Sequence, residues 1–226
     1  MSSYAPWARL LRPEVELVAV QLPGRENRFT EPFILEPADV LDRLIANLQR
    51  ELRPPYVILG HSMGGLLGYR LTQRLLETDE FIPPRRLIVS AASAPSVGAR
   101  RDRADVTTFS DERLIENLRR FGGTPDGVLA DPNMLGAVLP IFRADLTLSS
   151  GLLAHEKSPA PVSIPISLLR GSEDSGRSRQ DADAWGGCSG LPISEHVFPG
   201  GHFYFRERLP AVVSLLNSIL SAHLAA

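Results

Sequence analysis

A serine framed by glycines, Gly60-His61-Ser62-Met63-Gly64, follows the apolar run Tyr56-Val57-Ile58-Leu59 and leads into Leu66-Leu67-Gly68-Tyr69-Arg70-Leu71. These residue types at this spacing put a hydroxyl on the tight turn where a buried strand becomes a helix. Such a turn holds its serine in strained backbone geometry with the oxygen projecting, and the flanking glycines let strand and helix pack closely without a side-chain clash. Gly-x-Ser-x-Gly also arises by chance in loops. Here the strand before it, the helix after it and the additional Gly65 agree on a nucleophile elbow. The chemistry it predicts is nucleophilic acyl transfer, as in an esterase-type hydrolase.

A serine hydroxyl is a weak nucleophile near neutral pH. It needs an imidazole to take its proton and a carboxylate to hold that imidazole in the productive tautomer. In α/β-hydrolases these follow in the order Ser, Asp or Glu, His, each on a loop at the carboxyl end of a strand. After the strand-like Ile166-Ser167-Leu168-Leu169 comes Arg170-Gly171-Ser172-Glu173-Asp174, whose Gly171 marks a sharp strand exit. Asp174 is the expected acid, with Glu173 a close competitor and Asp181 and Asp183 more distant ones on a helix leading to Trp185. After Glu195-His196-Val197-Phe198 comes Pro199-Gly200-Gly201-His202-Phe203, a turn able to swing an imidazole back over the sheet edge, and His202 is the expected base. Of the other histidines, His61 adjoins the nucleophile on a backbone expected to point it away, His196 lies within a strand, and His155 and His223 suit structural or surface roles. The backbone N–H of Met63, next after the serine, is the expected oxyanion donor.

The second oxyanion donor of this fold comes from a loop after a central strand. Before Val15 there is only Met1 to Glu14, which reads as a helix, so the central amino-terminal strand and its loop are expected to be missing from this chain. Losing one such donor lowers the rate by roughly 100-fold or more.

These groups are positioned by an alternation of strands and helices. Strands are expected at Val15 to Val20, Tyr56 to Leu59, Arg86 to Ser90, Ile164 to Leu169 and Glu195 to Phe198, and helices at Pro37 to Arg53, Leu66 to Leu76 and Leu209 to Leu220. That pattern predicts an α/β fold with a mostly parallel sheet covered by helices on both faces. Between Ser93 and Pro161 the alternation stops and helical stretches take over at Glu112 to Phe121 and Pro132 to about Leu148. The expected organisation is one domain over 1–226, with a helical lid over about 107–160. Met134, Leu135, Leu139 and Phe142 give that lid an apolar face, which fits a substrate channel and simple packing on the core equally well.

At 226 residues and a net charge of −2, with its basic residues dispersed or paired with acids, the chain offers no nucleic-acid footprint. The single Cys188 can form no internal disulfide, and no Cys/His cluster has metal spacing, so neither metal nor cofactor is expected. The apolar runs are strand-length and the first residues lack a basic segment followed by an apolar one. The expectation is therefore a cytoplasmic protein with no membrane partner.

Taken together, Tyr4-Ala5-Pro6-Trp7, Val20-Gln21-Leu22-Pro23-Gly24-Arg25-Glu26, Gly60-His61-Ser62-Met63-Gly64-Gly65, Gly171-Ser172-Glu173-Asp174, Trp185 and Gly200-Gly201-His202-Phe203 resemble the type II thioesterases nearly end to end. These are stand-alone editing hydrolases of nonribosomal peptide and polyketide antibiotic biosynthesis. The resemblance implies an α/β-hydrolase fold with a helical lid and a triad of Ser62, Asp174 and His202. It implies as substrate an acyl group on the phosphopantetheine arm of an acyl or peptidyl carrier protein, processed by a monomer. Its departure from the family is the amino terminus, where relatives carry a strand and a Phe-Pro-x-Ala-Gly-Gly-like loop; an upstream start or a truncated, weakly active form are the two readings. A small-molecule carboxylesterase on the same triad and a non-catalytic carrier-binding form are the alternative functions.

Overall fold

Among the described residues, four short parallel strands carry the fold: β1 (Ile58–His61), β2 (Leu87–Ser90), β3 (Ile166–Gly171) and β4 (Ser194–Phe198), hydrogen-bonded in that order. The computed structural model describes residues 2–98, 105–154, 160–174 and 179–224. The strand register sets Ile58 beside Leu87, Leu87 beside Ile166 and Ser167 beside Ser194. All four β2 residues are buried, as parallel strands covered on both faces must be. Successive side chains then serve opposite layers. Leu87, Val89, Ile166 and Leu168 join one core, and Ile88 and Leu169 join the other.

Helices α1 (Pro37–Glu51) and α2 (Met63–Leu76) belong to the first layer, where Tyr69 and Leu75 are fully buried beside Trp185 and Cys188. The apolar spacing Val40, Leu41, Leu44, Leu48 turns one stripe of α1 inward. After β2 comes the short α3 (Pro95–Gly98), then α4 (Asp111–Phe121), α5 (Asp126–Ala130) and the long α6 (Pro132–Ala154). This helical insertion has a small core of its own, with Leu114, Leu118, Leu129 and Leu139 buried. It also rests on the main body through α6, whose Leu148 and Leu152 enter the first layer. Residues 155–159 of the expected lid lie outside the described residues. The chain closes with α7 (Arg179–Asp183), α8 (Tyr204–Glu207) and α9 (Leu209–Leu224). Of these, α8 and α9 cover the second face with Tyr204, Phe205, Val212, Val213 and Leu216.

The expectation at Val15 to Val20 fails. The segment forms no strand, and Leu17, Val18 and Val20 are left substantially exposed. An alternating sequence makes a strand only where a neighbouring edge accepts its hydrogen bonds. Among the described residues β1 has a ladder on its β2 side alone. The amino-terminal helix is likewise reduced to two 3-10 turns, Ser2–Tyr4 and Trp7–Arg9. Pro6 and Pro13 leave little more than one turn between them. What holds that segment is tertiary: Trp7 is buried against Phe205, and Arg12 donates its backbone N–H to Asn217 Oδ1 on α9.

Candidate active site

Ser62 sits between the last residue of β1 and the first of α2, with φ 55° and ψ −121°. That is glycine territory, and a side chain held there stores about 1–3 kcal/mol of strain. The conformation is fixed from outside: the Ser62 N–H donates to the Ser90 carbonyl at the end of β2 (2.7 Å), and the Gly65 N–H donates to the Ser62 carbonyl (2.9 Å). Gly60 permits the tight return, since a Cβ there would stand 2.0 Å from the Gly64 carbonyl oxygen. Met63, in the first turn of α2, has a backbone N–H with no acceptor inside the helix.

The loops after β3 and β4 are laced together. Ser172 N–H donates to the Phe198 carbonyl (2.8 Å) and Glu173 N–H to the Gly200 carbonyl (2.9 Å). Glu173 then points its carboxylate outward, while Asp174 is buried. His202 Nδ1–H donates to Asp174 Oδ2 at 2.8 Å, with both side chains 4% exposed. This bond leaves Nε2 as the basic nitrogen of the neutral ring. Asp183 is exposed on α7 and Asp181 is buried on the same helix, so Asp174 is the carboxylate bonded to the imidazole. His155 lies outside the described residues, as does the side chain of His223.

His61 differs from its sequence expectation. Its ring lies 4.9 Å from that of His202, and its Nδ1 is 2.9 Å from the Ser90 hydroxyl, which in turn is 2.7 Å from the Tyr204 hydroxyl. Ser90 thus touches the Ser62 turn through its carbonyl and His61 and Tyr204 through its hydroxyl. Burial pushes the Tyr204 phenol up, so it remains protonated. Neither Ser90 nor Tyr204 was legible as a site residue; the only hints were a serine at a strand end and the aromatic run after His202. Tyr204→Phe removes one buried hydrogen bond but leaves Ser90 its His61 contact, so we expect a loss of about 1 kcal/mol in urea unfolding, with hydrolysis within a few-fold of the parent. An unchanged unfolding midpoint overturns that account.

Arg25, from the Gln-Leu-Pro-Gly-Arg-Glu segment, reaches Asp145 of α6 at 2.5 Å. Burial pushes the Asp145 carboxyl up, against the opposing pull of that guanidinium. The segment therefore holds the helical insertion in place. Among the described residues no group of three or more His, Cys, Asp or Glu is disposed to hold a metal ion, and no helix is long and apolar enough to cross a membrane.

A family model described as thioesterase domain matches residues 1–220. The chain belongs to the thioesterase family. It is a hydrolase acting on thioesters, as the resemblance in its motifs implied. This thioesterase is 31% identical over 206 residues to the gramicidin S biosynthesis protein GrsT of Aneurinibacillus migulanus, covering 91% of this chain and 78% of that one. It superposes on the type II thioesterase BorB from the borrelidin biosynthetic cluster with a TM-score of 0.82 at 31% identity, over 99% of this chain and 87% of the other. The thioesterase RedJ from the prodiginine pathway of Streptomyces coelicolor gives 0.81 at 30% identity, over 96% and 84%. The α/β-hydrolase expectation holds in these likenesses and in the parallel, helix-covered sheet.

Proposed function

We propose that this thioesterase clears acyl groups from the phosphopantetheine arm of carrier proteins in nonribosomal peptide or polyketide synthesis, using Ser62, His202 and Asp174 as its triad. The observation that carries the reading is the buried His202–Asp174 bond, on a ring beside the strained turn that presents Ser62. The names of GrsT, BorB and RedJ support the biosynthetic setting.

In this mechanism His202 Nε2 takes the Ser62 proton as Oγ attacks the thioester carbonyl. The Met63 N–H faces the oxyanion, and the C–S bond breaks to release the pantetheine thiolate, which takes up the proton carried by His202. Water, deprotonated by the same nitrogen, then attacks the acyl-serine, the C–Oγ bond breaks, and His202 returns that proton to Ser62 Oγ as the acid leaves. A thiolate leaves readily, so stabilising the oxyanion matters more than strong acid help at the sulfur. The α4–α6 insertion serves as the lid. We place the protein in the cytoplasm as a monomer, with no cofactor.

The test compares an acetyl group on a pantetheinylated carrier, acetyl-pantetheine and nitrophenyl acetate. We expect kcat/KM to fall in that order, with the carrier at least about tenfold ahead of the free arm, because binding at a distance from the reacting carbonyl is recovered in the transition state. Preference for the oxygen ester with indifference to the carrier indicates a carboxylesterase. Inactivity on all three indicates a non-catalytic form.

A further inference from the structure

The triad reading leaves unexplained why one turn of the insertion is fastened to the histidine loop. Phe121, the last residue of α4, lays its ring 4.9 Å from the His202 imidazole at a tilt of 47°, and is itself braced edge-on by Phe142 of α6 at 6.2 Å. The Phe203 ring lies 5.0 Å from the imidazole, perpendicular to it, and the His61 ring 4.9 Å from it. Two residues beyond Phe121, the Gly123 carbonyl accepts from Arg206 Nη1 at 2.6 Å, and the same guanidinium lies 4.4 Å over the Phe203 ring. Gly123 has no side chain where one would collide: a Cβ there would stand 2.0 Å from Phe203 Cε2. Within three residues the insertion therefore touches the base, the ring next to it and the arginine after that.

We infer that Phe121 is a positioning residue for His202, and that the Gly123–Arg206 clamp keeps it seated. The imidazole has to swing little between taking the serine proton and delivering it, and displacing a reacting group by about 1 Å can lower the rate 100-fold. A ring packed against His202 at this distance limits how far the imidazole can tilt while its Nδ1 holds the Asp174 bond. The clamp makes the activity of the base depend on where the insertion sits. This inference rests on the triad reading.

The experiment uses the full chain as parent, Phe121→Ala, Phe121→Leu and Arg206→Gln. For each, kcat and KM on acetyl-pantetheine, the rate of Ser62 labelling by a small fluorophosphonate, and Tm are measured. We expect Phe121→Ala to lower kcat about 10-fold to 100-fold with KM within threefold, and to slow labelling in parallel at a nearly unchanged Tm. Phe121→Leu should recover part of the loss, because it restores apolar cover, and Arg206→Gln should lower kcat several-fold in the same direction. A Phe121→Ala kcat within twofold of the parent overturns the inference, as does a loss that follows Tm and is not recovered by leucine. If the parent labels at Ser62 without hydrolysing thioesters, the substrate reading fails and the labelling rates still decide on Phe121. A parent that neither labels nor hydrolyses overturns both.

Discussion

Replacing Ser62 by glycine is expected to make the protein more stable by about 1 kcal/mol while lowering thioester hydrolysis roughly 10⁴-fold or more. The two effects have one origin. At φ 55° and ψ −121° the backbone occupies the region of the first central residue of a type II′ turn, which glycine enters freely and a residue with a Cβ enters only with strain. Relief of about 1–3 kcal/mol is offset in part by the larger entropy of glycine in the unfolded chain, about 0.5–1 kcal/mol. Ser62→Ala is the control that keeps the strain and loses the hydroxyl. It should be as inactive as the glycine variant and less stable than it by about 1–2 kcal/mol. Urea unfolding at unchanged m-value reads the difference. If the glycine and alanine variants unfold at the same midpoint, the turn stores no strain worth recovering.

The second large effect is expected at Asp174. Asp174→Asn should leave the fold and KM nearly intact and lower kcat by about 10⁴-fold. The carboxylate accepts from His202 Nδ1–H inside the protein, with both side chains 4% exposed. The ring is thereby kept with its lone pair on Nε2 and is stabilised when it becomes cationic. A carboxamide of the same shape can present its NH₂ to Nδ1 instead, which selects the tautomer whose proton sits on Nε2, where the serine proton must go. Glu173→Gln is the internal control: its side chain is exposed and, among the described residues, its backbone N–H is what is engaged, so kcat should stay within about twofold. A profile with the two variants exchanged assigns the acid to Glu173.

What could be read from residue types was the part of the site built by short-range rules. Gly60 to Gly65 encode a turn by backbone sterics alone, and Gly171 and Gly200 mark the exits of neighbouring strands, in whose following loops Asp174 and His202 meet. The positions of four strands and of the long helices follow from apolar runs of strand length and from the 3.6 period. The same rule misread Val15 to Val20, because alternation records compatibility with a ladder and says nothing of whether an edge is there to receive it. It also misread His61. Alternation along β1 places its side chain opposite to that of a following strand residue, but Ser62 has already left the strand conformation, and the His61 ring turns toward Ser90 and His202. Phe121, Ser90, Tyr204 and Arg206 escaped the sequence for a different reason. Each acts through a partner remote in the chain, 114 residues away for Ser90 and Tyr204, and no local pattern signals such a meeting.

The pairing of β2 with β3 has a consequence for how the molecule comes into being. Leu87 meets Ile166 across the middle of the described sheet, and the whole helical insertion lies between them in the chain. Closing a flexible segment of that length costs about 4 kcal/mol of chain entropy before any contact repays it, on the (3/2)RT ln n form. Parallel pairs of such separation are what make folding slow. The insertion whose Phe121 lies beside the His202 ring is therefore also the element that sets the largest loop to be closed at the sheet's centre. Its own small core of Leu114, Leu118, Leu129 and Leu139 shortens that loop if it forms first, so the insertion's local helicity acts on the folding rate as well as on the site it covers.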